Sequence, residues 1–209
     1  MPKRVVTLRT LLFTQVVALA AVAGIFHVLF RTERGLAAKA NPVVWHVARF
    51  LQLRLRWPDG PEILLAGAVA AALVLWNHLY QRIVPVGDSV TEGEWRPVTA
   101  VDRAGAAVLV VTTAVTEEIL FRGVLYAASA YFLNRPGGLL LSALLFSLAH
   151  SEKGTHGRIA VFVYGLILGA PLFFGSSLAV PIIAHGILNG VAFFGLFGTG
   201  RGAVYRKRL

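Results

Sequence analysis

The chain has 209 residues, of which 56% are hydrophobic and only 14% are charged. A soluble domain carries about 25% charged residues, so this composition argues against a soluble globular protein and indicates a membrane protein. Lysine and arginine outnumber aspartate and glutamate by 20 to 10, and there is no cysteine, which excludes disulfides, thiolate metal sites and a cysteine nucleophile.

Six apolar segments predict an all-α fold, a polytopic transmembrane bundle of about six to eight helices. A span needs about 20 apolar residues. The first segment has that length, and we interpret it as a retained transmembrane helix rather than a signal peptide. The third is longer, so it is either one tilted helix or two helices that meet inside it. The segments cover residues 11–30, 63–80, 104–132, 138–150, 159–174 and 178–197.

Two polar stretches separate the first three segments. Residues 43–57 place apolar side chains at helical spacing beside several arginines, which favours an amphipathic helix at the membrane surface. The later Leu-Arg-Leu-Arg alternation is equally typical of a strand. Residues 58–61, Pro-Asp-Gly-Pro, predict a turn, and residues 86–97 predict a polar loop.

Basic residues lie mainly between the apolar segments and at the chain ends, as at Arg31, Arg34 and Arg206. Membrane proteins flank their spans in this way. We therefore predict contacts with anionic lipids through these basic flanks, and we predict no nucleic-acid partner.

The third apolar segment contains the charged motif "EEILFR", Glu117 to Arg122. Glu118 and Arg122 are four residues apart, so on a helix they share a face and can form an ion pair. Such a pair can serve as a structural clamp. Glu117 points elsewhere and has no local partner, although a distant arginine could supply one. An isolated buried charge is costly and is usually functional, so Glu117 is the candidate catalytic residue.

Three more polar residues lie in later apolar segments. His150 ends the motif "FSLAH", and His185 shares a helix face with Asn189 in "HGILN". Each has a structural alternative, as an interfacial histidine or as a hydrogen-bonding pair between helices. Glu117, His150, His185 and Asn189 lie on three different segments, and each needs a polar partner. All four obtain one if they face one another in a single pocket between helices.

The three motifs, in this order on successive apolar segments, resemble the CPBP family of CAAX prenyl endopeptidases and bacteriocin-processing proteins, which are intramembrane glutamic proteases. The resemblance covers roughly residues 103–197. We therefore predict an N-terminal region of transmembrane helices and an interfacial segment at 1–102. A CPBP-like catalytic transmembrane core follows at 103–198, and a basic tail at 199–209.

The resemblance implies a role for each motif residue. Glu117 is the general base and His150 helps to hold the attacking water, while His185 and Asn189 stabilise the oxyanion. The residues that support this site are Glu118, Arg122 and Phe146. The implied function is an intramembrane endopeptidase that acts on a peptide or protein terminus at the membrane surface without a cofactor, in the cell membrane of a prokaryote.

Three alternatives stay open at this point. Glu117 and the two histidines could hold zinc, although the His-Glu-x-x-His helix signature is absent. The chain could also be a non-catalytic immunity or scaffold protein of the same family. A proton or ion carrier would likewise contain buried glutamate and histidine.

Overall fold

The computed structural model describes residues 8–33, 41–84, 99–150 and 154–194. Within these ranges the protein is all-α with no strand, which confirms the predicted fold class. The elements, in chain order, are α1 (Leu8–Glu33), α2 (Pro42–Arg54), α3 (Gly60–Ile83), α4 (Ala100–Glu118), a π-helical segment (Ile119–Leu125), α5 (Tyr126–Ala149), α6 (Gly154–Phe173) and α7 (Ala179–Phe193). The predicted loop at 86–97 and the predicted tail at 199–209 lie outside the described residues.

Among the described residues, four helical runs are long and apolar enough to cross a membrane. They are Leu11–Val28 within α1, all of α3, the continuous run Ala100–Ala149, and α6. Helix α7 is apolar but has only 15 residues. Side chains such as Leu64, Phe132 and Val111 are more than half exposed, as expected for helices whose outer faces contact lipid rather than water.

The run Ala100–Ala149 contains two of the predicted segments, and a break in α5 separates them. Asn134 has φ 67° and ψ 175°, outside the helical region, and its side chain accepts a hydrogen bond from the Gly137 amide at 3.1 Å. Past this break the chain reverses, because Gly138 comes directly against Ala130. The third predicted segment is therefore one continuous helix through the charged motif, and the fourth is the returning arm.

Gly138 allows the two arms of α5 to touch. A Cβ atom at this position would lie 2.7 Å from the Ala130 backbone nitrogen. We expect Gly138→Ala to destabilise the fold by about 1–3 kcal/mol, because overpacking against backbone cannot be relieved by a rotamer change. Thermal unfolding in detergent measures this. The matched control is Gly67→Ala in α3, where a Cβ meets nothing within 4 Å, and an equal loss of stability in both variants would contradict the prediction.

The stretch at 43–57 forms a helix, α2, and not a strand. Asn41 caps its start, since its side chain accepts hydrogen bonds from the amides of Val43 and Val44, a strong signal for a helix N-terminus. The buried face of α2 packs on the first arm of α5 and the start of α7, whereas Trp45 on the other face is half exposed. With 13 residues, α2 is too short to span a membrane.

A buried carboxylate at the start of α3 fixes the loop between α6 and α7. Glu62 forms a capping box with Asp59 and is only 7% exposed. Its oxygens accept hydrogen bonds from the Ser177 amide at 2.7 Å and the Ser177 hydroxyl at 2.9 Å, and from both terminal nitrogens of Arg56. Since α7 begins at Ala179, this network sets the position of the helix that carries His185.

Candidate active site

The charged motif lies where α4 passes into the π-helical segment. Glu117 and Glu118 end α4, and Arg122 lies within the wider π turn. A π turn breaks the regular backbone hydrogen bonds and often marks a functional site. The Ser142 hydroxyl on the returning arm of α5 donates to the Phe121 carbonyl at 2.7 Å, and this bond is buried. Ser142 thereby donates a hydrogen bond to a backbone carbonyl of the irregular turn.

Glu118 contacts two cationic or titratable side chains at once. Its Oε1 lies 3.1 Å from Nη1 of Arg122 and 2.7 Å from Nδ1 of His185. Glu118 is 0% and Arg122 is 1% exposed. The ion pair has the i,i+4 geometry that the sequence predicts, but Glu118 also reaches α7. A carboxylate hydrogen-bonded to one imidazole nitrogen fixes the orientation of the ring and directs its other nitrogen.

Phe146 lies at the centre of the aromatic packing around these groups. The guanidinium carbon of Arg122 is 4.1 Å from the centroid of its ring, which is a cation–π contact. The rings of His150 and His185 pack against it with centroids 4.6 Å and 6.2 Å away. One buried aromatic side chain thus separates and orients the two predicted histidines, which gives the predicted supporting residue a physical role.

His150 ends α5 on the same helix face as Phe146. Its Nδ1 lies 2.8 Å from the Phe146 carbonyl oxygen. A carbonyl only accepts, so Nδ1 carries the proton in this bond and Nε2 remains available. Phe146, in the same motif, packs on the Arg122 guanidinium of the first motif. The structure therefore brings the second motif to the first.

Glu117 differs from Glu118 in having no direct ionic partner within bonding distance. Its side chain is 25% exposed, and its Oε2, like Oε2 of Glu118, is buried and has no hydrogen-bond partner. The nearest cationic candidate is Nε2 of His185, at 3.9 Å, which is too long for a hydrogen bond. A gap of this size between two polar groups is where a bridging water would bind. The alternative of a distant arginine is not seen among the described residues, where no arginine forms an ion pair with Glu117 and Arg122 bonds Glu118.

Asn189 lies one turn after His185 on the half-buried face of α7. Among the described residues its side chain has no hydrogen-bond partner, so the amide group is free to donate. A His/Asn pair that only joined helices would be bonded to neighbouring helices. His185 has such a bond to Glu118, but Asn189 has none within the described chain.

The zinc alternative requires at least three side chains arranged around one ion. In the parts of the chain that the structure describes, no group of three or more histidine, aspartate or glutamate side chains is arranged to hold an ion. Nδ1 of His150 is used by a carbonyl, and Nδ1 of His185 by Glu118.

Sequence reasoning missed three contributors to this site. Ser142 supports the π turn, the Gly165 carbonyl accepts from Arg122 at 3.4 Å, and Glu62 positions the start of α7. The Asp59-to-Glu62 spacing is a capping-box signature and could have indicated where α3 begins. Nothing local in the sequence indicates the pairing of Glu62 with Ser177, which is 115 residues away.

These features define the class of the protein: an integral membrane protein whose helices surround a buried cluster of glutamate, histidine and arginine. Residues 100–191 match the family model described as type II CAAX prenyl endopeptidase Rce1-like. The matched region covers a little under half of the chain, and its similarity to this family supports the resemblance to the CPBP proteases. No curated protein and no solved structure matches the chain.

Proposed function

We propose that the protein is an intramembrane endopeptidase that hydrolyses a peptide bond near the membrane surface with a water activated by Glu117. One observation carries the proposal: the buried Oε2 of Glu117 has no hydrogen-bond partner and faces Nε2 of His185 across 3.9 Å. An acidic oxygen held beside an imidazole in a pocket of low polarity is suited to bind and deprotonate a water.

The proposed reaction uses the groups around this gap. Water attacks the scissile carbonyl carbon while Glu117 takes its proton and Nε2 of His150 holds the water in position. The carbonyl oxygen gains negative charge and accepts hydrogen bonds from the Asn189 amide and from Nε2 of His185 when that nitrogen carries a proton. Collapse of the tetrahedral intermediate breaks the C–N bond, and the proton on Glu117 passes to the leaving amine.

Donors placed in advance around the developing oxyanion are worth about 3–4 kcal/mol of the barrier. Glu118 keeps Nδ1 of His185 occupied, so that the opposite nitrogen faces the reacting groups. We propose a mechanism through glutamate and water, with no zinc step, because no group of three or more histidine, aspartate or glutamate side chains among the described residues is arranged to hold an ion.

The substrate we propose is a peptide or protein terminus that reaches the site from the membrane. Comparing the termini of membrane proteins in host cells that contain the wild-type chain or the Glu117→Gln variant tests this. We expect one or more processed termini to disappear in the variant. Identical sets of termini would contradict a protease. If Glu117→Gln instead abolished proton flux through liposomes that contain the purified protein, a carrier would be the better explanation.

A further inference from the structure

Three arginines lie around the α6–α7 loop and the α5 break: Arg54 bonds the loop, Arg56 pairs with the Glu62 carboxylate that holds the loop, and Arg135 follows the break. We call Arg54, Arg56 and Arg135 the arginine corner. Arg54 ends α2 and its guanidinium donates to the carbonyls of Gly175 and Ser176 in the α6–α7 loop. Arg135 directly follows the break at Asn134.

The positive charge of the arginine corner exceeds its negative charge. Arg56 is paired with Glu62 at 2.8 Å, but Arg54 donates to neutral carbonyls. Arg135 has no acidic partner among the described residues. Burial and then the nearby charge of Arg135, followed by a smaller repulsion from Arg56, lower the pKa of the Arg54 guanidinium. Guanidinium groups form strong, often paired hydrogen bonds with phosphate oxygens, so this excess of positive charge is suited to bind an additional anion.

The surroundings of the arginine corner show which kind of anion fits. Trp57 is 93% and Phe174 is 85% exposed, which is costly in water but typical of aromatic side chains at a membrane interface. Helix α2 is too short to span, and the spanning helices α3 and α6 begin and end here. The arginine corner therefore lies at the level of lipid head groups, where anionic lipids are attracted by basic side chains.

We propose that the arginine corner binds the phosphate of an anionic phospholipid, with Trp57 and Phe174 against its glycerol and acyl region. This site lies outside the proposed active site and does not depend on the proposed chemistry. Because Arg54 and Arg56 also hold the α6–α7 loop and Glu62, a lipid bound there contacts the same network that positions α7.

Native mass spectrometry of the full-length protein in detergent, titrated with phosphatidylglycerol and with phosphatidylcholine of the same acyl chains, tests the site. We expect the wild type to prefer phosphatidylglycerol, and Arg135→Gln to reduce that preference about fivefold, the effect of one basic residue near the surface. Arg135→Lys should keep most of it. The matched control is Arg82→Gln, an exposed arginine in the last turn of α3 at the other end of the helix.

Three results would overturn the proposal. The wild type could show no preference between the two lipids. The Arg135→Gln and Arg82→Gln variants could lose the preference equally, which would indicate a general effect of net charge. Glycerol phosphate at millimolar concentration could displace the lipid completely, which would indicate a site for a soluble anion. Gel filtration of each variant shows whether it is folded.

Discussion

Glu117→Gln is expected to lower the rate of peptide hydrolysis by about 10²–10⁴-fold, the range for loss of a positioned general base. The variant should remain as stable as the wild type. The Oε2 of Glu117 makes no hydrogen bond and its side chain is a quarter exposed, so the neutral amide breaks no contact there. The measurement is cleavage, by purified protein in liposomes, of a fluorogenic peptide copied from a terminus that the cell comparison identifies.

A matched pair of histidine variants controls for general damage. His150→Ala should lose activity, because the role proposed for His150 is to hold the attacking water, and its ring packs on Phe146. His78→Ala should retain it, since His78 is exposed near the end of α3. Glu117→Gln protein that cleaves the peptide within threefold of the wild-type rate would contradict the proposed base.

The sequence was sufficient to predict the framework of this structure. In a membrane every backbone polar group must be hydrogen-bonded within its own helix, so a long hydrophobic run predicts a helix. The positions of the apolar segments correspond to α1, α3, the two arms around Asn134, α6 and α7. The spacing of Glu118 and Arg122 also predicts their ion pair, because contacts four residues apart depend on helix geometry alone.

Contacts between distant segments could not be derived in the same way. The bond from Glu118 to His185 joins residues 67 positions apart, and it depends on how α4 and α7 cross. The sequence indicates that polar residues should meet, but not which carboxylate meets which imidazole. The π-helical segment was also missed. Its amino-acid composition does not differ from that of an α-helix. Its Phe121 carbonyl accepts a hydrogen bond from Ser142, which lies on the returning arm of α5.

The bond between Glu118 and His185 has a second large consequence. Glu118→Ala should destabilise the fold by about 3–5 kcal/mol, because it leaves the Arg122 guanidinium buried and without its carboxylate. Arg122 is 1% exposed, and its remaining polar contact is a 3.4 Å bond to the Gly165 carbonyl. A loss of activity in this single variant would not separate a structural clamp from a positioning role.

The double variant Glu118→Leu with Arg122→Met separates the two roles. Apolar side chains of similar volume often replace a buried ion pair without loss of stability, so we expect thermal unfolding to return close to the wild-type temperature. Peptide hydrolysis should stay low, because Nδ1 of His185 has lost the carboxylate that orients it. The loss should be in kcat rather than KM, because the role proposed for His185 is to stabilise the oxyanion and not to bind substrate.

Unfolding temperature and kcat are measured on four proteins: the wild type, Glu118→Leu, Arg122→Met and the double variant. A large coupling energy in stability is expected in any case, because the two side chains touch. The rate distinguishes the hypotheses. A stable double variant with wild-type kcat would show that Glu118 is only the partner of Arg122. A stable double variant with low kcat, restored in part when Glu118 is returned to the Arg122→Met background, requires that this carboxylate acts through His185.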